Sequence, residues 1–234
     1  MSEHGRKKIL FDLDDTILDF RMAERHALKA AFDKLCIAAD DELLSRYSEI
    51  NAHCWQQLEL GKMTREEVLV SRFEKLFREK EIDCDARTAQ DCYEGFLESG
   101  HFFVPGAVEL LEKLYPKYDL YLVSNGNTAT QESRLKSAGI EPYFKGIFIS
   151  EQIGVNKPAR AFFEACFSEI PGFHPEDAII VGDSLTSDIR GGINAGIRTC
   201  WFNPDRKPDR DDIKADYMFH ALSELPTLLE TIFA

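Results

Sequence analysis

Two short apolar runs, Lys8–Phe11 and Leu120–Val123, each end in polar residues, and the first of those residues, Asp12 and Ser124, stand 112 positions apart. An ordinary strand–helix–strand unit needs about 30 residues. Later intervals obey that spacing: 33 residues from Ser124 to Lys157 and 26 from Lys157 to Asp183. The first interval therefore carries an excess of roughly 80 residues over one such unit. Residues about 18–100 read as helices only, and about 101–234 as strands alternating with helices. Alternation of that kind predicts an α/β fold with a parallel sheet covered by helices on both faces. The excess predicts a helical cap domain inserted after the first strand, so the expected division is a core of 1–17 and 101–234 and a cap of 18–100.

Inside the insert, Leu43, Tyr47, Ile50, Cys54 and Leu58 recur at three- and four-residue steps, one face of a helix. Gly61 is placed to end that helix. Thr64 and Glu67 have the spacing of a capping box that opens the next one, whose apolar stripe is Leu69, Phe73, Leu76 and Phe77. Beyond the insert the expected strands are Leu120–Ser124, Ile147–Ser150, Ala178–Asp183 and Arg198–Phe202. Pro105 and Pro158 are each expected at the first position of a helix. Gly191, Gly192 and Gly196 are expected to serve helix packing and termination.

A chain of 234 residues can bury roughly 70% of its unfolded surface, enough for a core without staples. No apolar run approaches the roughly 20 residues of a membrane span. The opening MSEHGRKKILFDLD is basic without a long apolar stretch, so no export signal is read there. The expected compartment is the cytoplasm, and the six cysteines, none in a CxxC pair, are expected as free buried thiols. The net charge of −13 argues against nucleic-acid polymers and anionic membranes as partners. It also means that any phosphate site must be made locally positive by a metal, a lysine or a helix N-terminus.

Ligands of open α/β sheets bind beyond the carboxyl ends of the strands. Those ends carry Asp12, Asp14, Ser124-Asn125-Gly126 and Asp183, with Asp188 five residues on and Lys157 ahead of a helix. Asp12, Asp14, Asp183 and Asp188 are expected to converge, and like charges that close need a counter-cation. Mg²⁺ fits best, since it takes one or two carboxylates together with waters and phosphate oxygens. Lys157 adds positive charge, Ser124 a hydroxyl, and the amides of Asn125 and Gly126 are expected to open a helix as an anion seat. A cation, a lysine and a donor loop around a carboxylate describe phosphoryl transfer. An aspartate can then be the nucleophile, and a second acid two residues on can serve the leaving oxygen and water. Taken singly, each feature has a plainer reading: a strand-end Asp or Ser124 as a helix cap, Lys157 as a solvated lysine. Their joint order at successive strand ends is what those readings leave unexplained.

DLDDT at 12–16, SNG at 124–126, Lys157-Pro158 and GDSLTSD at 182–188 resemble the four motifs of the haloacid-dehalogenase-like (HAD) hydrolases, across essentially the whole chain. The resemblance implies a Rossmann-like core with the family's first cap type. It implies Asp12 as nucleophile and Mg²⁺ ligand, and Asp14 as general acid/base with its main-chain carbonyl on the metal. Ser124, Asn125, Gly126 and Lys157 are implied to bind the phosphate, Asp183 to complete the protein ligands of Mg²⁺, and Asp188 to support the lysine or a metal water. Dehalogenases of the family lack an acid at the place of Asp14, so phosphoryl chemistry is favoured. Phosphonate-cleaving relatives need a cap lysine near the first motif, and Lys29 is the nearest here.

DDTILDF at 14–20, INAHCWQQLELGKMTREEV at 50–68 and GDSLTSDIRGGINAGIRTCWFNP at 182–204 resemble the pyrimidine 5′-nucleotidase branch. That implies a small phosphorylated substrate, a nucleoside monophosphate such as dUMP or dTMP. The alternatives are a sugar-phosphate phosphatase, a phosphohexose mutase with the same core motifs, and a binding module without activity. Monomer and dimer are not separated by the sequence. Phe20 and Trp55 could offer flat faces to a base, with plain packing as the competing reading of each.

Overall fold

The computed structural model describes residues 5–234. The first four, at the head of the stretch read for an export signal and of the 1–17 segment, lie outside the described residues. The elements in chain order are β1 (Lys8–Phe11), α1 (Phe20–Lys34), α2 (Asp41–Glu59), α3 (Arg65–Glu79), α4 (Ala86–Leu97), α5 (Ala107–Leu114), β2 (Asp119–Ser124), α6 (Thr128–Ala138), β3 (Phe144–Ile149) and α7 (Ser150–Ile153). There follow α8 (Arg160–Glu169), β4 (Ala178–Gly182), α9 (Arg190–Ala195), β5 (Arg198–Phe202), β6 (Tyr217–Phe219) and α10 (Leu225–Ile232).

The six strands form one sheet in the order β3-β2-β1-β4-β5-β6, every neighbouring pair parallel. β1 is buried along its whole length. Ile9 and Phe11 pack on one face with α5 and α10, and Leu10 on the other with Phe162 and Phe163 of α8. A central parallel strand covered on both faces has to be a continuous apolar run, and KILF is one. Phe11 pairs with Leu122 of β2 and with Val181 of β4. That register brings the chain after β1, β2 and β4 to one level. The strand order reverses at β1, where open α/β sheets place ligands.

The helices α1 to α4 pack around a separate apolar cluster with five aromatic rings at its centre: Phe32, Tyr47, Phe73, Phe77 and Tyr93. Each helix begins on a side-chain cap: Asp19, Asp40, Thr64 and Asp85, with Thr64 and Glu67 forming the full capping box. The α2 stripe is buried at all five expected positions. After Leu60, Gly61 takes φ +67°, the left-handed conformation that only glycine adopts freely.

Several boundaries differ from expectation. In α3, Val68 takes the stripe position assigned to Leu69, which is half-buried and faces the cavity described below. Pro105 and Pro158 each stand two residues ahead of their helix. Gly106 at φ +84° separates Pro105 from α5, and extended Ala159 separates Pro158 from α8. The helix after β2 starts at Thr128 on Asn127, so Asn125 and Gly126 form a loop before it. β4 stops at Gly182, and Ser150 begins α7 and is not the end of β3. β6 is an additional edge strand. Gly191 and Gly192 do serve packing, against Phe163 and between Ile180 and Thr199. Of the cysteines, Cys54, Cys166 and Cys200 are buried, but Cys36 is exposed; all six are free thiols.

Candidate active site

The level strand ends place Asp12, Ser124 and Asp183 side by side, and Lys157 reaches them from the loop before α8. Lys157 is 1% exposed. Its Nζ donates to Asp12 Oδ1 at 2.7 Å, to Asp188 Oδ1 at 2.7 Å and to the Val123 carbonyl at 2.9 Å. Three donor hydrogens thus meet three acceptors, which fixes the ammonium. Burial alone would lower the lysine's pKa, but Asp12 and Asp188 outweigh it and hold the group above its ordinary value.

Asp12, Asp183 and Asp188 present oxygens within 4.8 Å of one another. Burial, with repulsion from Asp188, Asp183 and Asp14, raises the Asp12 carboxyl well above the usual range despite Lys157. Burial together with Asp188 and Asp15 pushes Asp183 up to about 8. Lys157 and, at 3.9 Å from Asp183, Lys207 leave part of this negative charge unbalanced. An oxygen-lined, under-neutralised acidic pocket fits a hard divalent cation. Asp188 is committed elsewhere: one oxygen takes Lys157 and the other accepts from the Ser184 amide at 3.2 Å. Gly182 passes so close beneath Asp188 that a Cβ there would strike its carboxylate.

Asp14 does not join this group. Its carboxylate turns to α6, where Arg134 donates to Oδ1 at 2.5 Å and Gln131 to Oδ2 at 2.6 Å. The expected convergence of four acids is therefore a cluster of three with Asp14 held beside it. Fully buried Arg134 draws Asp14 toward α6, and repulsion between Asp14 and Asp12 favours the same separation. Gln131 also donates to Ser124 Oγ at 2.8 Å, and the Gly126 amide does so at 3.1 Å. Both lone pairs of that hydroxyl are occupied, which leaves its proton to be donated to a ligand. Gly126 lies against Gln131, and a Cβ at this position would meet Gln131 Nε2 at 2.5 Å. The Asn125 side chain brackets the Lys157 backbone, accepting from its amide at 2.8 Å and donating to its carbonyl at 3.0 Å.

A cavity of about 720 Å³ opens above these residues. Its floor holds Asp12, Asp14, Ser124, Lys157 and Asp183, and its far wall comes from α1 to α4, including Phe20, Glu24, Asn51 and Trp55. Both aromatic rings are half-buried and each lies near a guanidinium, Phe20 by Arg134 at 5.6 Å and Trp55 by Arg65 at 5.8 Å. Glu24 and Asn51 are buried and joined, with Asn51 donating to Glu24 Oε1 at 2.6 Å and accepting from Arg72 at 2.7 Å. Lys29 is exposed and does not line the cavity, so it offers no cap lysine to the site.

The comparisons with known proteins fall on the same architecture. The sequence matches the haloacid dehalogenase-like hydrolase family over residues 7–196. The chain is a haloacid dehalogenase-like hydrolase. Among its relatives in the family, HAD-hydrolase YfnB of Bacillus subtilis is 43% identical over 95% of both chains. Pyrimidine 5′-nucleotidase PynA of Streptococcus pneumoniae is 37% identical over 96% of this chain and 95% of that one. Pyrimidine 5′-nucleotidase YjjG of Escherichia coli is 28% identical over 94% and 96%. The crystal structure of YfnB, bound to magnesium and described as revealing interdomain movement, superposes with a TM-score of 0.92 over 96% of this chain and 98% of that one. This chain is accordingly an enzyme of the hydrolase class with the Rossmann-like parallel sheet of its family. No helix among the described residues is long and apolar enough to cross a membrane.

Gln131, Arg134 and Arg65 were not among the residues singled out from the sequence. Gln131 and Arg134 are three apart on α6, hence on one face, directly after the SNG segment. That spacing pairs them on one face, but it does not say that the face meets Asp14.

Proposed function

We propose that this enzyme is a phosphomonoesterase that uses Asp12 as nucleophile, with pyrimidine nucleoside 5′-monophosphates as substrates. The observation that carries the reading is the Asp12 carboxylate, bound on Oδ1 by buried Lys157 and lying in the floor of the cavity beside the Ser124 hydroxyl. In this reading residues 1–17 and 101–234 form the catalytic core and 18–100 the cap. Asp12, Asp183 and the main-chain carbonyl of Asp14 would hold Mg²⁺, which when bound offsets charge on the phosphoryl oxygens. The magnesium in the YfnB crystal structure supports that assignment.

An Asp12 oxygen attacks phosphorus and the bond from phosphorus to the leaving oxygen breaks, giving an aspartyl-phosphate. Asp14 supplies the proton that the leaving alkoxide takes. A water then attacks the same phosphorus and gives its proton to Asp14, and the Asp12 carboxylate departs as inorganic phosphate is released. Through both steps Lys157, the Ser124 hydroxyl and the Asn125 amide face the negative phosphoryl oxygens, while the Gly126 amide stays on Ser124 Oγ. Arg134 and Gln131 keep Asp14 at the edge of the cavity, so its carboxylate must turn from α6 toward the leaving oxygen.

The core recognises phosphate alone, so the leaving group is chosen by the far wall. Phe20 and Trp55 give flat surfaces, and the joined Glu24 and Asn51 give hydrogen-bonding groups to a base. The names of PynA and YjjG support a pyrimidine nucleotide as the occupant. Phosphate release from dUMP, dTMP, dGMP and glucose 6-phosphate, with and without Mg²⁺, tests the reading. The pyrimidine nucleotides should show the highest kcat/KM, by about 10–200-fold if discrimination is a matter of pocket fit. Glucose 6-phosphate as best substrate would remove the nucleotidase assignment and leave the phosphatase. An isomerised sugar phosphate without free phosphate would mark a mutase.

A further inference from the structure

Arg65 is the first residue of α3, on the helical unit, yet its guanidinium is spent on the sheet side of the cavity. Nη1 donates to the carbonyls of Asn125 at 2.7 Å and Gly126 at 3.0 Å, and to Asn127 Oδ1 at 3.2 Å. Nη2 donates to Ser150 Oγ at 2.6 Å and to Asn156 Oδ1 at 2.7 Å. One side chain thus ties together the loop after β2, the start of α7 and the residue before Lys157. All five acceptors are neutral, so the contact is no ordinary surface ion pair. The position is also electrostatically adverse, because a helix N-terminus favours acids, as at Glu66 and Glu67 next to it. Something other than helix stability accounts for an arginine there.

The bonds lead to the reacting groups. Peptide planarity sets the amide of Gly126 opposite the carbonyl of Asn125. Arg65 holds that carbonyl, and the Gly126 amide on the other side donates to Ser124 Oγ. The Asn125 side chain in turn brackets the Lys157 backbone. A charged donor on a carbonyl also polarises the peptide and strengthens its N–H as a donor. We propose that Arg65 is a positioning residue of the reaction, a clasp on the helical unit that aligns the 124–126 loop and Lys157 around the phosphoryl group. The proposal rests on the phosphatase reading above. It makes the phosphate seat complete only while the helical unit is docked, so the part that selects the leaving group also switches on the part that performs the chemistry.

The test is Arg65→Ala and Arg65→Lys in the full chain with Mg²⁺, assayed on dUMP beside the melting temperature. Misplacing reacting groups by about 1 Å costs about 10²-fold, and a loss of that size in kcat is expected for Arg65→Ala. Added guanidinium should restore part of it, and Arg65→Lys should lie between the alanine variant and wild type. A folded Arg65→Ala that keeps about half of wild-type kcat, or a loss that guanidinium leaves untouched, overturns the proposal. If Arg65→Ala melts below the assay temperature, Ser150→Ala/Asn156→Ala removes both Nη2 acceptors: a kcat loss supports the clasp and an unchanged kcat overturns it. Amide hydrogen exchange over residues 124–128 gives a readout independent of turnover. It should quicken in Arg65→Ala, or in Ser150→Ala/Asn156→Ala where that pair stands in, and equal rates overturn the proposal. Failure of wild type to release phosphate from any monoester would instead strike the phosphatase reading.

Discussion

Asp12→Asn and Asp14→Asn should both abolish turnover, but only Asp14→Asn should destabilise the fold. Among the described residues Asp14 is the one carboxylate bonded to Arg134, whose side chain is fully buried. Removing one partner of a buried pair costs about 3–5 kcal/mol because the other charge is left uncompensated. The Asp14 side chain is 29% exposed, so the low end applies, about 3 kcal/mol. For a chain of this size each kcal/mol moves the melting temperature by about 2–4 °C, so Asp14→Asn should melt about 6–12 °C lower. Asp12 is the contrary case. Burial and three neighbouring carboxylates disfavour its charge by more than Lys157 favours it, which is why its carboxyl is raised. Asn keeps the shape and an oxygen for Lys157, and Lys157 retains Asp188 and the Val123 carbonyl. In chelator at neutral pH, Asp12→Asn should therefore match or exceed wild type in stability. Urea and thermal unfolding of both variants in chelator, beside phosphate release, decides the matter. An Asp14→Asn as stable as wild type, or an Asp12→Asn that loses more than about 1 kcal/mol, would refute this accounting of the charges.

Exhaustive chelation should abolish phosphate release and Mg²⁺ should restore it; undiminished release in chelator would remove the metal from the mechanism. Asp183, pushed up to about 8 from an unfolded carboxyl near 3.8, binds more protons folded than unfolded. Its contribution is thus full below about pH 4 and lost as pH rises toward 8, so metal-free protein should lose melting temperature across that window, less steeply in Asp183→Asn. Mg²⁺ should then raise the melting temperature more at pH 8 than at pH 6, and an equal gain at both would contradict the shift. Lys157→Ala should cost at least about 10²-fold in kcat, since the ammonium bonded to Asp12 no longer offsets charge on the transferring group; near wild-type turnover would exclude that role.

The strand ends were legible because a parallel strand buried on both faces must be a short apolar run, and its last residue marks the level where ligands bind. Lys8–Phe11 and Arg198–Phe202 are read from sequence with their true limits for that reason. β6 escaped notice because it has three residues at the sheet edge and exposes Met218, so it shows no such run. The two prolines misled because φ near −65° suits a turn ahead of a helix as well as its first position. The larger omission is the set that holds Asp14 and the loop after β2. Arg134 meets Asp14 across 120 positions and Arg65 meets Asn125 across 60, and periodicity says which residues share a helix face but not which element that face meets. One local mark was nonetheless present. The segment Thr64-Arg65-Glu66-Glu67 obeys every helix-start preference except at Arg65, where a cation opposes the macrodipole. A residue that breaks a local rule inside an otherwise consistent segment is where a tertiary or functional demand is to be sought. Here the demand comes from five neutral acceptors, three of them in the loop after β2 and one in the residue before Lys157.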